Sequence, residues 1–444
     1  MTPTRPRVLF ISPDAVGERM AGLGIRYTEL AGALADVAAV VVATGDQDGR
    51  GTGTALAGGI PVVGYEPHAP GALREHIGWA DAIVAPPQWP LVTRWLRASG
   101  KRIVIDLYDP ETLETLELFA GRRPLMRRAM VALTLDRLDD ALRTGHHFMC
   151  AGEAQRDLWT GALLASRAIT PASYDADRSL RSVLDLVPFG LPDQPPLGGG
   201  SGVREAFGSR IAADDEIILW NGGIWPWLDA PTAVRAVARL AQRRPGVRLV
   251  FMGQGTGVAG RAAFEDARAV AHALGVLDTT VLFPDGWVPY ADRAGWLLQS
   301  DCALATAGDH LEARYAFRTR LLDCLWAGLP VVCTSGDELA SRVARDDLGA
   351  VAAPGDADGV AAAIEGVLDR GRGAYADALA AVAADYAWPV VSAPLRRWVM
   401  ESGDPSARVG AGAARRRTSH VVRSAAYAAV RSGLAATRIG WPSR

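Results

Sequence analysis

Three arginines, Arg314, Arg318 and Arg320, stand at the foot of a helical pattern in which Leu321, Leu322, Leu325 and Trp326 recur at helical spacing. Gly328 ends that pattern, Pro330 follows, and Val331-Val332-Cys333 reads as a short buried strand. A helix start presents unpaired backbone N–H groups and the positive end of the helix dipole, both suited to phosphate oxygens. Crowding guanidinium groups there is unfavourable unless negative charge compensates them. A bound phosphate is one compensation, since the guanidinium fork matches phosphate geometry. Pairing with Asp309, Glu312 or Asp323 as a surface network is the other.

Other candidate groups sit where apolar strands end. The strand Arg7 to Ser12 leads into a loop with Gly22, Gly24 and Arg26, a candidate cradle for phosphate or sugar because glycine permits close backbone approach. The strand Arg102 to Asp106 projects Asp106-Leu107-Tyr108-Asp109, and Asp109 could contact an acceptor hydroxyl or a donor sugar. Asp109 also reads as a helix N-cap with Pro110 at the first helical position. In the second half the strand Glu216 to Trp220 precedes Asn221-Gly222-Gly223, and a helix from Pro231 to Gln242 follows, capped by Asp229. Thr280 to Phe283 is another strand, followed by Asp285-Gly286-Trp287-Val288.

Positioning these groups requires alternating elements, and the chain supplies them. Apolar strands at Val37–Ala43, Ala82–Ala85, Arg102–Asp106 and His146–Cys150 alternate with helical patterns, which indicates an α/β protein with parallel sheets covered on both faces. Ligands in such sheets bind outside the carboxyl ends of the strands. Residues 192–202, PDQPPLGGGSG, cannot pack a core and read as a linker, after which the architecture repeats.

The run from Phe317 through Leu322-Asp323-Cys324-Leu325-Trp326-Ala327-Gly328-Leu329-Pro330-Val331-Val332 resembles the donor-binding motif of retaining GT-B glycosyltransferases, above all glycosyltransferase family 4. In that family a loop with a Glu and Phe-Gly leads into a helix with a second Glu, then Ala-x-Gly-x-Pro-Val-Val. Asp323 takes the place of the second Glu, which implies contact with the nucleotide ribose, and Phe317 matches the family Phe. Tyr315 stands where the first Glu falls and Arg318 where the Gly falls, so Glu312 becomes the substitute carboxylate, assigned with Asp109 to catalysis. The loop at Gly222 and Gly223 lacks the Arg and Lys that family members use on the donor diphosphate. Its backbone amides remain, and the missing charge is assigned to Arg318 and Arg320, with Thr319 between them. Trp287 or Val288 would contact the nucleotide base, and Gly22, Gly24 and Arg26 match the family's acceptor or phosphate loop in kind.

The resemblance implies two Rossmann-like, doubly wound domains facing each other across a cleft. Residues 1–191 form the acceptor domain, 203–387 the nucleotide-sugar domain, and 388–400 a helix crossing back to the first. It further implies sugar transfer with retention from a nucleotide-sugar donor to a glycan or lipid-linked acceptor, in cell-surface polysaccharide or glycolipid assembly, with no metal or other cofactor. A nucleotide-sugar epimerase of the same fold, or a non-catalytic nucleotide-sugar-binding relative, would share this architecture.

Composition fits that reading. Hydrophobic residues make up 49%, charged residues 22%, and the formal net charge is -2, with no overall bias toward nucleic acid. The four cysteines are scattered in apolar runs without metal-ligand spacing, as in a reduced cytoplasmic protein. Neither a signal-peptide pattern nor an apolar run of spanning length occurs, so a cytoplasmic enzyme is expected. Residues 401–444 differ: eight arginines stand against Glu401 and Asp404, and Arg416, Arg423, Arg431 and Arg438 fall on one helical stripe. This tail reads either as disordered or as a helix lying on the inner face of a membrane.

Overall fold

The structure is a computed structural model, and it describes residues 5–17, 20, 22–45, 55–67, 69–198, 202–255, 257–286, 288–289 and 292–401. The basic tail from residue 402 onward, Trp287 and the glycine-rich end of the linker at 199–201 lie outside the described residues.

The chain forms two compact units. Among the described residues, the first takes in the chain up to Gly190 together with residues 388–401, and the second is Leu191–Ala387. The first carries strands β1 (Arg7–Ser12), β2 (Ala39–Gly45), β3 (Val62–Tyr65), β4 (Ala82–Ala85), β5 (Arg102–Asp106), β6 (His147–Cys150) and β7 (Leu184–Leu186). They form one sheet in the order β3-β2-β1-β4-β5-β6-β7, parallel throughout. Val8 to Ile11 and Ile83 to Ala85 are 0% exposed, which is why these strands read as unbroken apolar runs rather than alternating ones. One face of this sheet packs Leu9, Ile11, Ile83, Ile103, Ile105 and Phe148 into a single core with Leu96, Leu142 and Trp159 from the covering helices.

The second unit carries β8 (Glu216–Trp220), β9 (Val247–Phe251), β10 (Val281–Leu282), β11 (Cys302–Ala305), β12 (Val331–Thr334) and β13 (Gly349–Ala352), again parallel, in the order β10-β9-β8-β11-β12-β13. In each sheet the strand order reverses beside the first strand, between β1 and β4 and between β8 and β11. That switch point is where doubly wound sheets open a crevice for ligands.

Three local differences from the sequence reading have plain causes. The strand expected at Val37–Ala43 begins at Ala39, because Val37 and Ala38 donate back to the carbonyl of Leu34 and prolong the preceding helix as a turn. Strands β3 and β7 have no signal of their own, being four and three residues long at the two sheet edges. The helix after β5 starts at Glu111 with Pro110 as its N-cap, so Asp109 is not the cap.

The chain from Trp388 forms two short helices, Trp388–Val391 and Ala393–Met400, that belong to the first unit. Trp388 packs on Phe189 with ring centroids 5.2 Å apart, over Gly190, where an added Cβ would fall 2.5 Å from the indole. Trp398 stacks on His147 at 5.6 Å, and the Arg102 guanidinium lies 3.9 Å above its ring while donating to the carbonyls of Val399 and Glu401. A cation on the last carbonyls of a helix is favoured by both hydrogen bonding and dipole.

Candidate active site

The loop leaving β8 at the switch point is built by close backbone approach. Gly222 has φ +94, a left-handed conformation that favours glycine, and a Cβ on Gly253 would stand 3.3 Å from the Gly222 carbonyl. The loops after β8 and β9 therefore touch backbone to backbone. Beyond them Trp225 and Trp227 stack in parallel at 5.3 Å. Asp229 caps the helix Ala230–Ala241 by accepting from Thr232 N at 3.1 Å. The loop after β11 is tied to the same place, where Thr306 Oγ1 donates to the Asp229 carbonyl at 2.6 Å and His310 Nε2 donates to the Trp227 carbonyl at 3.1 Å. His310 Nδ1 accepts from Ala313 N at 3.0 Å, so the imidazole is held as the neutral Nε2–H tautomer. Its 3.7 Å approach to Glu312 is therefore not an ion pair.

Two arginines of the third loop close on this frame. Arg320, in the first turn of the helix Thr319–Trp326, donates from Nη2 to the Gly223 carbonyl at 3.0 Å, and its guanidinium lies 5.3 Å from the Trp220 ring. The Arg320 carbonyl accepts from Asn221 Nδ2 at 2.6 Å. Its Nη1 is enclosed and meets no partner among the described residues. Burial, and then the nearby Arg318 charge, push the Arg320 pKa down to about 10. Arg318, the residue before the helix, is 7% exposed and pairs through Nε with Asp337 Oδ2 at 2.9 Å. Asp337 in turn caps the helix Glu338–Arg345, accepting from Ala340 N at 2.8 Å. Burial holds the Asp337 carboxyl above its ordinary range in spite of Arg318. Both Nη1 and Nη2 of Arg318 are enclosed without a described partner.

Of the two readings of the arginine cluster, the structure departs from the surface network. The surface network with Asp309, Glu312 and Asp323 does not form around Arg318 and Arg320, and Arg314 is exposed, leaning on the Tyr315 ring at 5.5 Å. Arg318 pairs with one carboxylate and Arg320 with one backbone carbonyl, leaving three guanidinium nitrogens without an acceptor and the enclosed oxygens Asn221 Oδ1 and Asp337 Oδ2 without a hydrogen-bond donor. Each buried polar group left unpaired costs about 1–3 kcal/mol, more when charged. Unmatched donors and acceptors of this kind are what an anion that also carries a hydroxyl would satisfy.

The remaining candidates of this unit take distinct places. Asp323 sits one turn along the helix from Arg320 and meets Arg293 Nε at 3.4 Å, while that guanidinium lies 4.5 Å from the Trp326 ring. Burial, only partly offset by Arg293, raises the Asp323 pKa. Phe317 contacts Tyr386 at 6.1 Å, Thr319 opens the helix, and Glu312 is 3% exposed on the short helix Leu311–Tyr315. Val288 lines a cavity of about 220 Å³ with Phe207, Pro284 and Trp296. Asn221, Asp337, Arg293 and His310 were not among the residues singled out. Asp337 carries only an N-cap signal, and nothing local to it points toward Arg318.

The first unit corrects one expectation. Arg26 is 0% exposed, donates from Nε and Nη2 to the two oxygens of Asp106 at 2.9 and 3.1 Å, and donates from Nη1 to the Pro188 carbonyl at 2.9 Å. Its face covers the Tyr108 ring at 4.4 Å. All three guanidinium nitrogens are used within the unit, so Arg26 is a structural residue and not part of a phosphate cradle. Gly24 is likewise a packing glycine, because an added Cβ would stand 2.3 Å from the Ala15 carbonyl oxygen. Gly22 faces open space, and Asp109 is half-buried just beyond β5. Among the described residues no three His, Cys, Asp or Glu side chains are grouped to hold a metal ion, and no helix is long and apolar enough to cross a membrane.

Residues 215–370 match the family model "Glycosyl transferases group 1". Sucrose-phosphate synthase from Thermosynechococcus elongatus superimposes with a TM-score of 0.64 at 16% identity, covering 89% of this chain and 98% of that one. HepE from Anabaena, solved with UDP and glucose, gives 0.64 at 14% identity, covering 89% and 99%. The chain is a glycosyltransferase of the GT-B fold. A phosphatidyl-myo-inositol mannosyltransferase of Mycolicibacterium smegmatis is 25% identical over 320 residues, 69% of this chain and 72% of that protein. Within this glycosyltransferase, the matched segment contains Gly222, Arg318, Arg320, Asp323 and Asp337 together.

Proposed function

We propose that the unit Leu191–Ala387 holds the diphosphate of a nucleotide-sugar donor on Arg318, Arg320 and the backbone at Gly222 and Gly223, with the sugar passing to a glycan or lipid-linked acceptor. The observation that carries this is the set of three enclosed guanidinium nitrogens without acceptors at the switch point of the second sheet. Negative charge grows on the diphosphate as the sugar–oxygen bond breaks, and preorganised donors in a water-poor site stabilise it most at that moment. The two arginines supply the positive charge that a divalent cation could otherwise bring, in keeping with a metal-independent reaction. Asn221 Oδ1 suits a donor hydroxyl, and Asp323, oriented by Arg293, suits a ribose hydroxyl. The UDP and glucose in HepE support a uridine nucleotide, and the mannosyltransferase relative supports a lipid-linked acceptor. Retention of anomeric configuration belongs to the same reading, as does a role in glycolipid or surface-polysaccharide assembly at the cytoplasmic side of a membrane.

The test is a thermal-shift and calorimetric panel of UDP, GDP, dTDP and ADP with their common sugars, followed by transfer assays on the selected donor. One nucleotide should stabilise the protein selectively, and Arg318→Ala with Arg320→Ala should abolish that. Unchanged donor turnover in the double variant would overturn the assignment.

A further inference from the structure

The helix that carries Arg320 and Asp323 ends at Trp326, and the two carbonyls just beyond it are met by one distant side chain. Arg372 donates from Nε to the Gly328 carbonyl at 3.0 Å and from Nη2 to the Ala327 carbonyl. From Nη1 it reaches the carbonyls of Leu297, Leu298 and Ser300 at 3.0, 3.1 and 2.7 Å. The second group of carbonyls closes the helix Arg293–Leu298. One guanidinium thus binds the carboxyl ends of two helices at once, where the orphan carbonyls and the negative dipole ends both favour a cation. The chain brings Arg372 there through Gly371, whose φ of +77 turns it out of the long helix Ala357–Arg370.

Both clamped helices serve the donor site. Helix Arg293–Leu298 supplies Arg293, and helix Thr319–Trp326 supplies its partner Asp323 and, at the opposite end from the clamp, Arg320. The latter helix is eight residues long, about 12 Å, so a small rotation at its carboxyl end moves the guanidinium at its start. We propose that Arg372 is a positioning residue for the donor site: by locking the two helix ends together it fixes the rotation and axial register that place Arg320 and Asp323. The inference rests on the donor-site reading given above. Arginine is required rather than any cation, because five acceptors around one guanidinium exceed the three hydrogen bonds that an ammonium group can donate.

The test uses the full chain and the nucleoside diphosphate, among UDP, GDP, dTDP and ADP, that the wild type binds. Calorimetry is run on wild type, Arg372→Ala, Arg372→Lys and Arg320→Met at a temperature where far- and near-UV circular dichroism show each folded. Arg372→Ala should bind about tenfold more weakly, with Arg372→Lys intermediate. A residue that only stabilises the fold would lower the melting temperature while leaving the affinity of folded protein unchanged. Affinity of folded Arg372→Ala within about twofold of wild type would overturn the proposal. Should the alanine variant not fold, the lysine variant decides by the same criterion. Wild type that binds none of the four nucleotides would overturn the donor-site reading itself. Binding lost in Arg320→Met but intact in the Arg372 variants would overturn the positioning role alone.

Discussion

The two units solve the same local problem in opposite ways. Each places enclosed arginine near the start of a helix on the carboxyl side of a parallel sheet, Arg26 in the helix Gly22–Leu34 and Arg318 and Arg320 at the start of Thr319–Trp326. Arg26 finds two carboxylate oxygens and a carbonyl within its own unit, so every nitrogen is used and the pair with Asp106 is sealed. Arg318 and Arg320 find one carboxylate and one carbonyl between them, and three nitrogens stay without acceptors. The residue type is identical, and what differs is the supply of acceptors around it. A guanidinium whose three nitrogens are all matched by the fold contributes to stability, whereas one left short of acceptors is available to a ligand.

Substitutions can break that contrast. The largest effect is expected for Arg26→Ala, which leaves Asp106 buried and unpaired and should cost about 3–5 kcal/mol in urea unfolding. Arg320→Met should do the reverse, lowering kcat about 100-fold while leaving the melting temperature unchanged or raised, since it removes a buried charge that the fold does not satisfy. If both variants behaved alike, the distinction between a structural and a ligand-facing arginine would fail. The smallest effect sharpens the comparison within the first unit. Gly24→Ala should destabilise by about 1–3 kcal/mol, because its Cβ would meet a backbone oxygen that cannot step aside, whereas Gly22→Ala should stay within about 0.5 kcal/mol. Thermal unfolding of the two variants measures this directly.

Much of the fold was legible in the chain. The buried parallel strands announced themselves as apolar runs, β1 and β5 with the bounds expected, and Asp229 marked a helix start that the structure also shows. Edge strands β3 and β7 were not legible, because a three- or four-residue strand at a sheet edge carries too little apolar pattern to stand out from a loop. Of the residues named from sequence, Arg320 does meet the loop at Gly222 and Gly223, and Arg318 stands near Arg320. Asn221, Asp337, Arg293 and Arg372 were not named, since each acts through a partner far away in sequence and looks locally like a loop, cap or surface residue.

By itself the sequence determined the alternation of elements, the two-part organisation and the arginine-rich helix start, because periodicity and capping are properties of neighbouring residues. Only the tertiary structure decided which arginines remain short of acceptors. Arg26 meets Asp106, Arg318 meets Asp337 and Arg320 meets Gly223 only after separate strands have come together in one sheet. Whether a charge is satisfied is a property of three-dimensional surroundings, and no local pattern encodes it.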